Sequence, residues 1–265
     1  DKQLIEDNEI LQAISKLNIA QPNNASHNEN DILLQKLYVA NIKNRLNEIQ
    51  NPKENDKMRW PWELIQNAKD SLFSPSNTKD QKKVEIRIEI TKDKKTHKCT
   101  EIRFRHDGPP FTDDSFIGLL YKISQGKDNS KTTGRFGTGF ISTHVLSKVV
   151  RINVNRINKD GKVYGFTATM YREGTNDPDI IEDFKKMQKS QRVIEHLWQY
   201  NEFVYNISSE ESQECVMLGL NHLKAHIAPA LINCHEIDQV VLVEDDVETK
   251  YYIKKEKKLK IQNIK

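Results

Sequence analysis

Trp62-Glu63-Leu64-Ile65-Gln66-Asn67-Ala68-Lys69-Asp70 sets three polar side chains in register along one side of a helix. At roughly 100° per residue, Glu63, Asn67 and Asp70 stand at i, i+4 and i+7 and share a face. Leu64, Ile65, Ala68 and Leu72 fall on the other side, where they can bury. Asp56 and Pro61 mark the start, because proline is tolerated in a first turn whose N–H groups have no intrahelical acceptor. A carboxylate one turn from a carboxamide is what a magnesium-dependent hydrolase needs, one group to orient water and one to hold the metal. An ordinary amphipathic helix with a wet face carries the same pattern, so the flanking stretches decide between the two.

Downstream, Val84-Glu85-Ile86-Arg87-Ile88-Glu89-Ile90 alternates strictly, which predicts a strand with one buried face. A polar turn over 92–98 leads to a second alternating stretch containing Ile102 and Phe104, and the two are expected to pair as a hairpin. That strand runs into His106-Asp107-Gly108-Pro109-Pro110-Phe111, a loop with a carboxylate at a strand end. Asp113 and Asp114 read as the cap of a helix bearing Phe116, Ile117, Leu119, Leu120 and Ile123. A polar segment over 124–133 then reaches Gly134-Arg135-Phe136-Gly137-Thr138-Gly139-Phe140, which opens a helix predicted over 141–148. Three closely spaced glycines let the backbone approach a ligand, and the helix start behind them presents unpaired N–H groups. This is an anion site, suited to phosphates. Strands over 149–157 and 163–171 follow across Asn158-Lys159-Asp160-Gly161, then helices over 177–199 and 213–232, with extended segments at 203–207 and 240–243. The element order predicts one α/β (α+β) two-layer sandwich.

Upstream, residues 1–19 carry a loose helical pattern that Gln21-Pro22-Asn23-Asn24 breaks. A stronger helix is expected from Asp31. The division is therefore an N-terminal helical arm and polar tether over 1–30, a domain over 31–245, and a lysine-rich strand or linker over 246–265. A chain of 265 residues can bury a substantial core. No run is read as long and apolar enough to cross a membrane, so no membrane partner and a soluble protein are expected. Cys99, Cys215 and Cys234 are odd in number and far apart, which predicts buried free thiols in a reducing, cytoplasmic compartment rather than a disulfide frame or zinc site. The His222/His226 pair lacks a companion ligand and reads as surface or core, and Trp60 and Trp62 read as anchors of the helix start. With 41 Lys plus Arg against 38 Asp plus Glu, the net charge of +3 is a weak pointer to nucleic acid. Starting at Asp1 and stopping in a lysine-rich stretch, the chain is expected to be excised from something longer.

Taken together, Glu63-x-x-x-Asn67-Ala68-x-Asp70, His106-Asp107-Gly108-x-x-Phe111 and Gly134-Arg135-Phe136-Gly137-Thr138-Gly139-Phe140 resemble the N box and two glycine boxes of the GHKL ATPases: DNA gyrase, the ninety-kilodalton heat-shock chaperones, histidine kinases and MutL. The likeness is nearest to the chaperone and sacsin-like branch and covers about residues 31–245. It implies the Bergerat fold, an open mixed and mostly antiparallel sheet with helices on one face, and it implies ATP and Mg²⁺ as cofactors. Under it Glu63 would be the general base, Asn67 would ligate Mg²⁺, and Asp70 would hold the adenine or ribose side. The stretch from Gly134 to Phe140 would close over the phosphates in a lid reaching back to about Ser124, with Lys127 and Thr132 inside it. Gly108 and Phe111 belong to the first glycine box, which departs from the Asp-x-Gly-x-Gly pattern. His106 stands two before Gly108, the carboxylate is displaced to Asp107, and Pro110 replaces the second glycine. Either His106 or Asp107 could accept the adenine amino hydrogen, with Asp107 favoured. For a third box, Thr167, Thr169 and the Phe203-Val204-Tyr205 strand are approximate stand-ins.

The implied activity is an N-terminal ATP-binding and Mg²⁺-dependent ATP-hydrolysing module of a larger protein. It would act as a conformational or dimerisation switch, chaperone-like or within a nucleic-acid-processing or defence protein. A following domain of the same chain would complete the site, and ATP would favour a homodimer. A Walker loop is excluded because Gly126-Lys127 is followed by Asp128, and a dinucleotide fingerprint because the glycine spacing is reversed. The rival reading is a non-hydrolysing, nucleotide-responsive scaffold for a partner protein or nucleic acid, suggested by the altered adenine loop and by Lys82-Lys83, 92–98 and 254–258. Glu63 favours hydrolysis.

Overall fold

A computed structural model describes Lys36, Val39, Ala40, Ile42, Lys43 and residues 52–121 and 139–254. The arm expected over 1–30, the lid over 124–133 with Lys127 and Thr132, and Gly134, Arg135, Phe136, Gly137 and Thr138 lie outside the described residues. Of the helix expected from Asp31, the five described residues are helical, with Val39 and Ile42 buried.

The described elements are α1 (Glu54–Asp70), a 3₁₀ turn (Ser71–Phe73), β1 (Val84–Lys92), β2 (Cys99–His106), β3 (Phe111–Thr112), α2 (Asp113–Tyr121), α3 (Gly139–Ser142), a second 3₁₀ turn (Thr143–Val145), β4 (Val149–Ile157), β5 (Val163–Tyr171), α4 (Asp177–Ser190), β6 (Arg192–Ile194), β7 (Asn201–Asn206), α5 (Glu210–Asn233), β8 (Ile237–Glu244) and β9 (Val247–Tyr252). They form one open sheet of nine strands in the order β6-β5-β4-β7-β2-β1-β8-β9, with β3 beside β4. Only β1/β8 and β3/β4 pair in parallel. The α/β two-layer sandwich with a mixed, mostly antiparallel open sheet is thus the observed architecture.

Register explains why the sheet has one dry face. Ala168, Ile152, Phe203, Phe104, Ile88 and Leu242 stand opposite one another in successive strands, and all are buried. One residue along, the neighbouring row reads Thr167, Asn153, Glu202, Arg105 and Arg87. With a side-chain period of two, adjacent rows must face opposite ways. The polar row satisfies itself laterally: Thr167 donates to Asn153 at 2.8 Å, Asn153 to Glu202 at 2.7 Å, and Arg105 to Glu202 and Glu89 at 2.7 and 2.8 Å. Helices α1 and α5 cover the apolar row. They lock together through Trp60, fully buried, whose indole N–H donates to the Cys215 carbonyl at 3.0 Å.

Several expectations are corrected. Helix α1 begins at Glu54, so Pro61 lies inside it, buried, where it leaves the Lys57 carbonyl without its usual helical N–H. The other expected start signal, Asp56, does secure the start, accepting from the Lys53 N–H at 3.1 Å. Thr112, not Asp113 or Asp114, caps α2 by accepting from the Ser115 N–H at 3.1 Å. The helix expected over 177–199 stops at Ser190, because Val193 and Ile194 leave it to pair with β5. The one expected over 141–148 splits into α3 and a 3₁₀ turn, where the Thr143 hydroxyl donates to the Phe140 carbonyl at 2.7 Å. Within the segment read as a strand or linker over 246–265, Val247–Tyr252 form β9. Finally, α5 is long and apolar enough to cross a membrane by length and composition. Its apolar residues Cys215, Val216, Leu220, Leu223, Ile227 and Leu231 are spent on the core.

Candidate functional site around helix α1

The described pieces of the glycine boxes approach α1 at two places, one at Glu63 and one at Ser71, the residue that follows its last turn. Just past the middle of α1, the Glu63 carboxylate lies against Gly139. A Cβ on Gly139 would come within 1.8 Å of Glu63 Oε2 and 2.8 Å of its carboxyl carbon. At the C-terminal end, a Cβ on Gly108 would meet Ser71 Oγ at 2.3 Å and His106 Nδ1 at 2.8 Å. The missing side chain at each position is what lets the main chain come this close to Glu63 and to Ser71. Between them Asn67 stands exposed and Asp70 half-buried, its carboxylate 3.5 Å from Lys69 Nζ.

Glu63 is held from the other side as well. Arg59 Nη2 donates to Glu63 Oε1 at 2.7 Å, and only 14 % of the Glu63 side chain is exposed. The polar stripe therefore starts a turn earlier than Glu63, at Arg59. The i, i+4 spacing of the two residues is a signal present in the sequence that the motif reading passed over.

The loop after β2 divides its two candidate base readers. Alternation in β2 puts Ile102, Phe104 and His106 on the buried side, so His106 faces the helix layer. Its Nδ1 accepts from the Gly108 N–H at 3.2 Å, which places the ring proton on Nε2. The ring is stacked on Phe203, with centroids 6.3 Å apart, and burial pulls its pKa down to about 4. Asp107, the favoured residue, is exposed, and its Oδ1 accepts from the Glu85 N–H at 2.7 Å. It extends the end of the β1/β2 ladder with the parity opposite to His106, where partial burial of the carboxylate, with the Glu85 carboxylate adding to it, pushes its pKa up against the pull of that N–H. Of the two, only His106 lies on the buried side of the sheet, among Phe104, Phe111 and Phe203.

Phe111 and Phe140 join an aromatic cluster on Phe203, with centroids 6.4 and 5.2 Å from it. Phe203 thereby bridges His106 and the residue that follows Gly139. Two anchors hold these segments, Asn201, which the sequence reading passed over, and Tyr205, which it named only within the Phe203-Val204-Tyr205 strand. Asn201 donates to the Gly108 carbonyl at 2.9 Å, fixing the loop. Tyr205 donates to Thr143 Oγ1 at 3.0 Å, fixing the turn after α3, and burial pushes its pKa up. Thr167, a stand-in for the third box, lies in the polar row of the open face. Thr169 bonds through its N–H to Ser190 at 2.8 Å.

Among the described residues no three His, Cys, Asp or Glu side chains cluster as a metal site. The Asn67 carboxamide, exposed on α1, is the type of single neutral oxygen donor that Mg²⁺ accepts beside phosphate oxygens and water. His222 and His226 stack at 4.2 Å, and His222 Nδ1 accepts from the Trp62 indole at 2.8 Å. Cys99 and Cys215 are buried free thiols, raised to about 11 by burial. A scan of the chain against protein-family models and a search of characterised proteins each find no match.

Proposed function

We propose that the chain binds ATP with Mg²⁺ and hydrolyses it to ADP and phosphate, with a GHKL-type Bergerat site on the polar face of α1. The observation that carries this reading is that the loop after β2 meets Ser71, directly behind α1, while the end of the glycine-rich stretch meets Glu63 on α1, although the two segments are far apart in the chain. Three motifs that only resembled a family in their order are thereby compatible with one site.

Glu63 orients the attacking water and takes its proton as the water oxygen bonds to the γ-phosphorus and the bond to the bridging oxygen breaks, leaving ADP. Asn67 is the residue that would hold Mg²⁺, whose charge would offset that on the phosphates when bound. Asp70 serves the nucleoside side. The nucleotide acts as a conformational or dimerisation switch, because it engages α1 and the glycine-rich stretch together. Titration of the chain with ATP, ADP and GTP, with and without Mg²⁺, tests the site. Saturable binding strengthened by Mg²⁺ supports it, and no binding of any nucleotide refutes it. Binding with no turnover would favour the non-hydrolysing scaffold.

A further inference from the structure

We infer that Arg59 is a positioning residue for Glu63, an inference that rests on the reading of Glu63 as the water-orienting base. A carboxylate can accept hydrogen bonds at two oxygens, and here the two are in different hands. Oε1 is held by Arg59 Nη2 at 2.7 Å, while Oε2 is the atom nearest to where a Gly139 Cβ would stand, with Oε1 3.6 Å from that point. The guanidinium on one side and the bare Cα on the other fix the carboxylate plane. Oε2 is then the oxygen left to accept from water beside the main chain of the glycine-rich stretch.

Helix stabilisation does not account for the pair. An acidic residue N-terminal to a basic one is the favoured i, i+4 order, and this pair runs the other way. The two ends are also unequal, the Arg59 side chain being 57 % exposed and that of Glu63 14 %. A surface ion pair contributes little when both ends are wet, but here one end is shielded and already bounded by Gly139. Asp56 Oδ1, 3.9 Å from Arg59 Nη1, keeps the guanidinium on the stripe. Arg59 thus acts through Glu63 and need not touch nucleotide.

The test uses the full chain with Mg-ATP and the variants Arg59→Gln, Arg59→Lys, Glu63→Gln and the Arg59→Gln/Glu63→Gln double variant. Arg59→Gln is expected to lower kcat about 10-fold, in line with the cost of a displaced catalytic group, with KM within about twofold of the unaltered chain. Arg59→Lys recovers part of the loss, because it keeps the charge but not the planar fork. The double variant is no slower than Glu63→Gln alone, since a residue acting through Glu63 has nothing left to position. An unchanged kcat in Arg59→Gln, or a loss that adds in full to that of Glu63→Gln, overturns the inference while leaving the ATPase reading intact. Wild-type turnover in Glu63→Gln overturns the ATPase assignment itself. A crystal structure of Arg59→Gln gives a readout independent of activity: Glu63 should leave Gly139, and an unmoved carboxylate refutes the role of Arg59.

Discussion

Gly139 and Glu63 are in contact across 76 residues of chain, and the contact exists because Gly139 has no side chain: the three atoms nearest to a methyl there would all belong to Glu63. Gly139→Ala therefore meets a movable carboxylate rather than rigid main chain. Stability should change by less than about 1 kcal/mol, since alanine also suits a helical position better than glycine. ATP turnover should fall about 10-fold or more as Glu63 is pushed aside. Urea unfolding and phosphate release on the same preparation separate the two effects.

Gly219 gives the opposite outcome. A Cβ there would lie 2.1 Å from Trp60 Nε1 and within 2.8 Å of two further ring atoms, and Trp60 has no exposed surface. Nothing nearby is free to yield. Gly219→Ala should cost about 1–3 kcal/mol through overpacking of the α1/α5 contact, read as a lower urea midpoint. A midpoint equal to that of the unaltered chain would mean the two helices do not meet as described.

His106 makes stability depend on pH in a defined window. Its folded pKa of about 4 lies below the ordinary 6.5, so between those values the unfolded chain binds the proton and the folded chain does not. Stability from this residue is complete above about pH 6.5, declines as the pH falls, and is lost by about pH 4. The total is on the order of 3 kcal/mol. His106→Phe, which suits the ring cluster with Phe104, Phe111 and Phe203, should flatten the slope in that window. An unchanged slope in urea denaturation measured from pH 4 to 7 would contradict the burial of a neutral imidazole.

Asp107→Ala should leave nucleotide affinity and base preference unchanged, because the carboxylate bonds to the Glu85 N–H at the end of the β1/β2 ladder. The loss of that bond should cost about 1 kcal/mol of stability. Binding curves for ATP and GTP that shift in this variant would return Asp107 to the site.

Legibility followed the range of the interactions. The strands over 149–157 and 163–171 were readable residue by residue, because a local turn at Asn158-Lys159-Asp160-Gly161 joins two alternating runs and Gly161 adopts the positive φ that the turn needs. The end of α4 was not readable. Val193, Ile194 and Leu197 prolong the apolar content of the helix, and only pairing of residues 192–194 with β5 separates them from it. The side taken by Asp107 was legible in the sequence, since Ile102, Phe104 and His106 share one parity and Asp107 has the other. The contacts of Glu63 with Gly139 and of Gly108 with Ser71 depend on tertiary packing and could not be read from spacing.

The most direct test of a Mg-ATP site on the face of α1 is calorimetric titration with Mg-ATP of the unaltered chain beside Asn67→Ala. Asn67 is exposed on that face, so its removal should leave the fold intact. The unaltered chain should show saturable binding and the variant a loss of affinity of about 10-fold or more, on the scale of losing a metal ligand's contribution. Equal affinities, or no binding by the unaltered chain, would contradict the account.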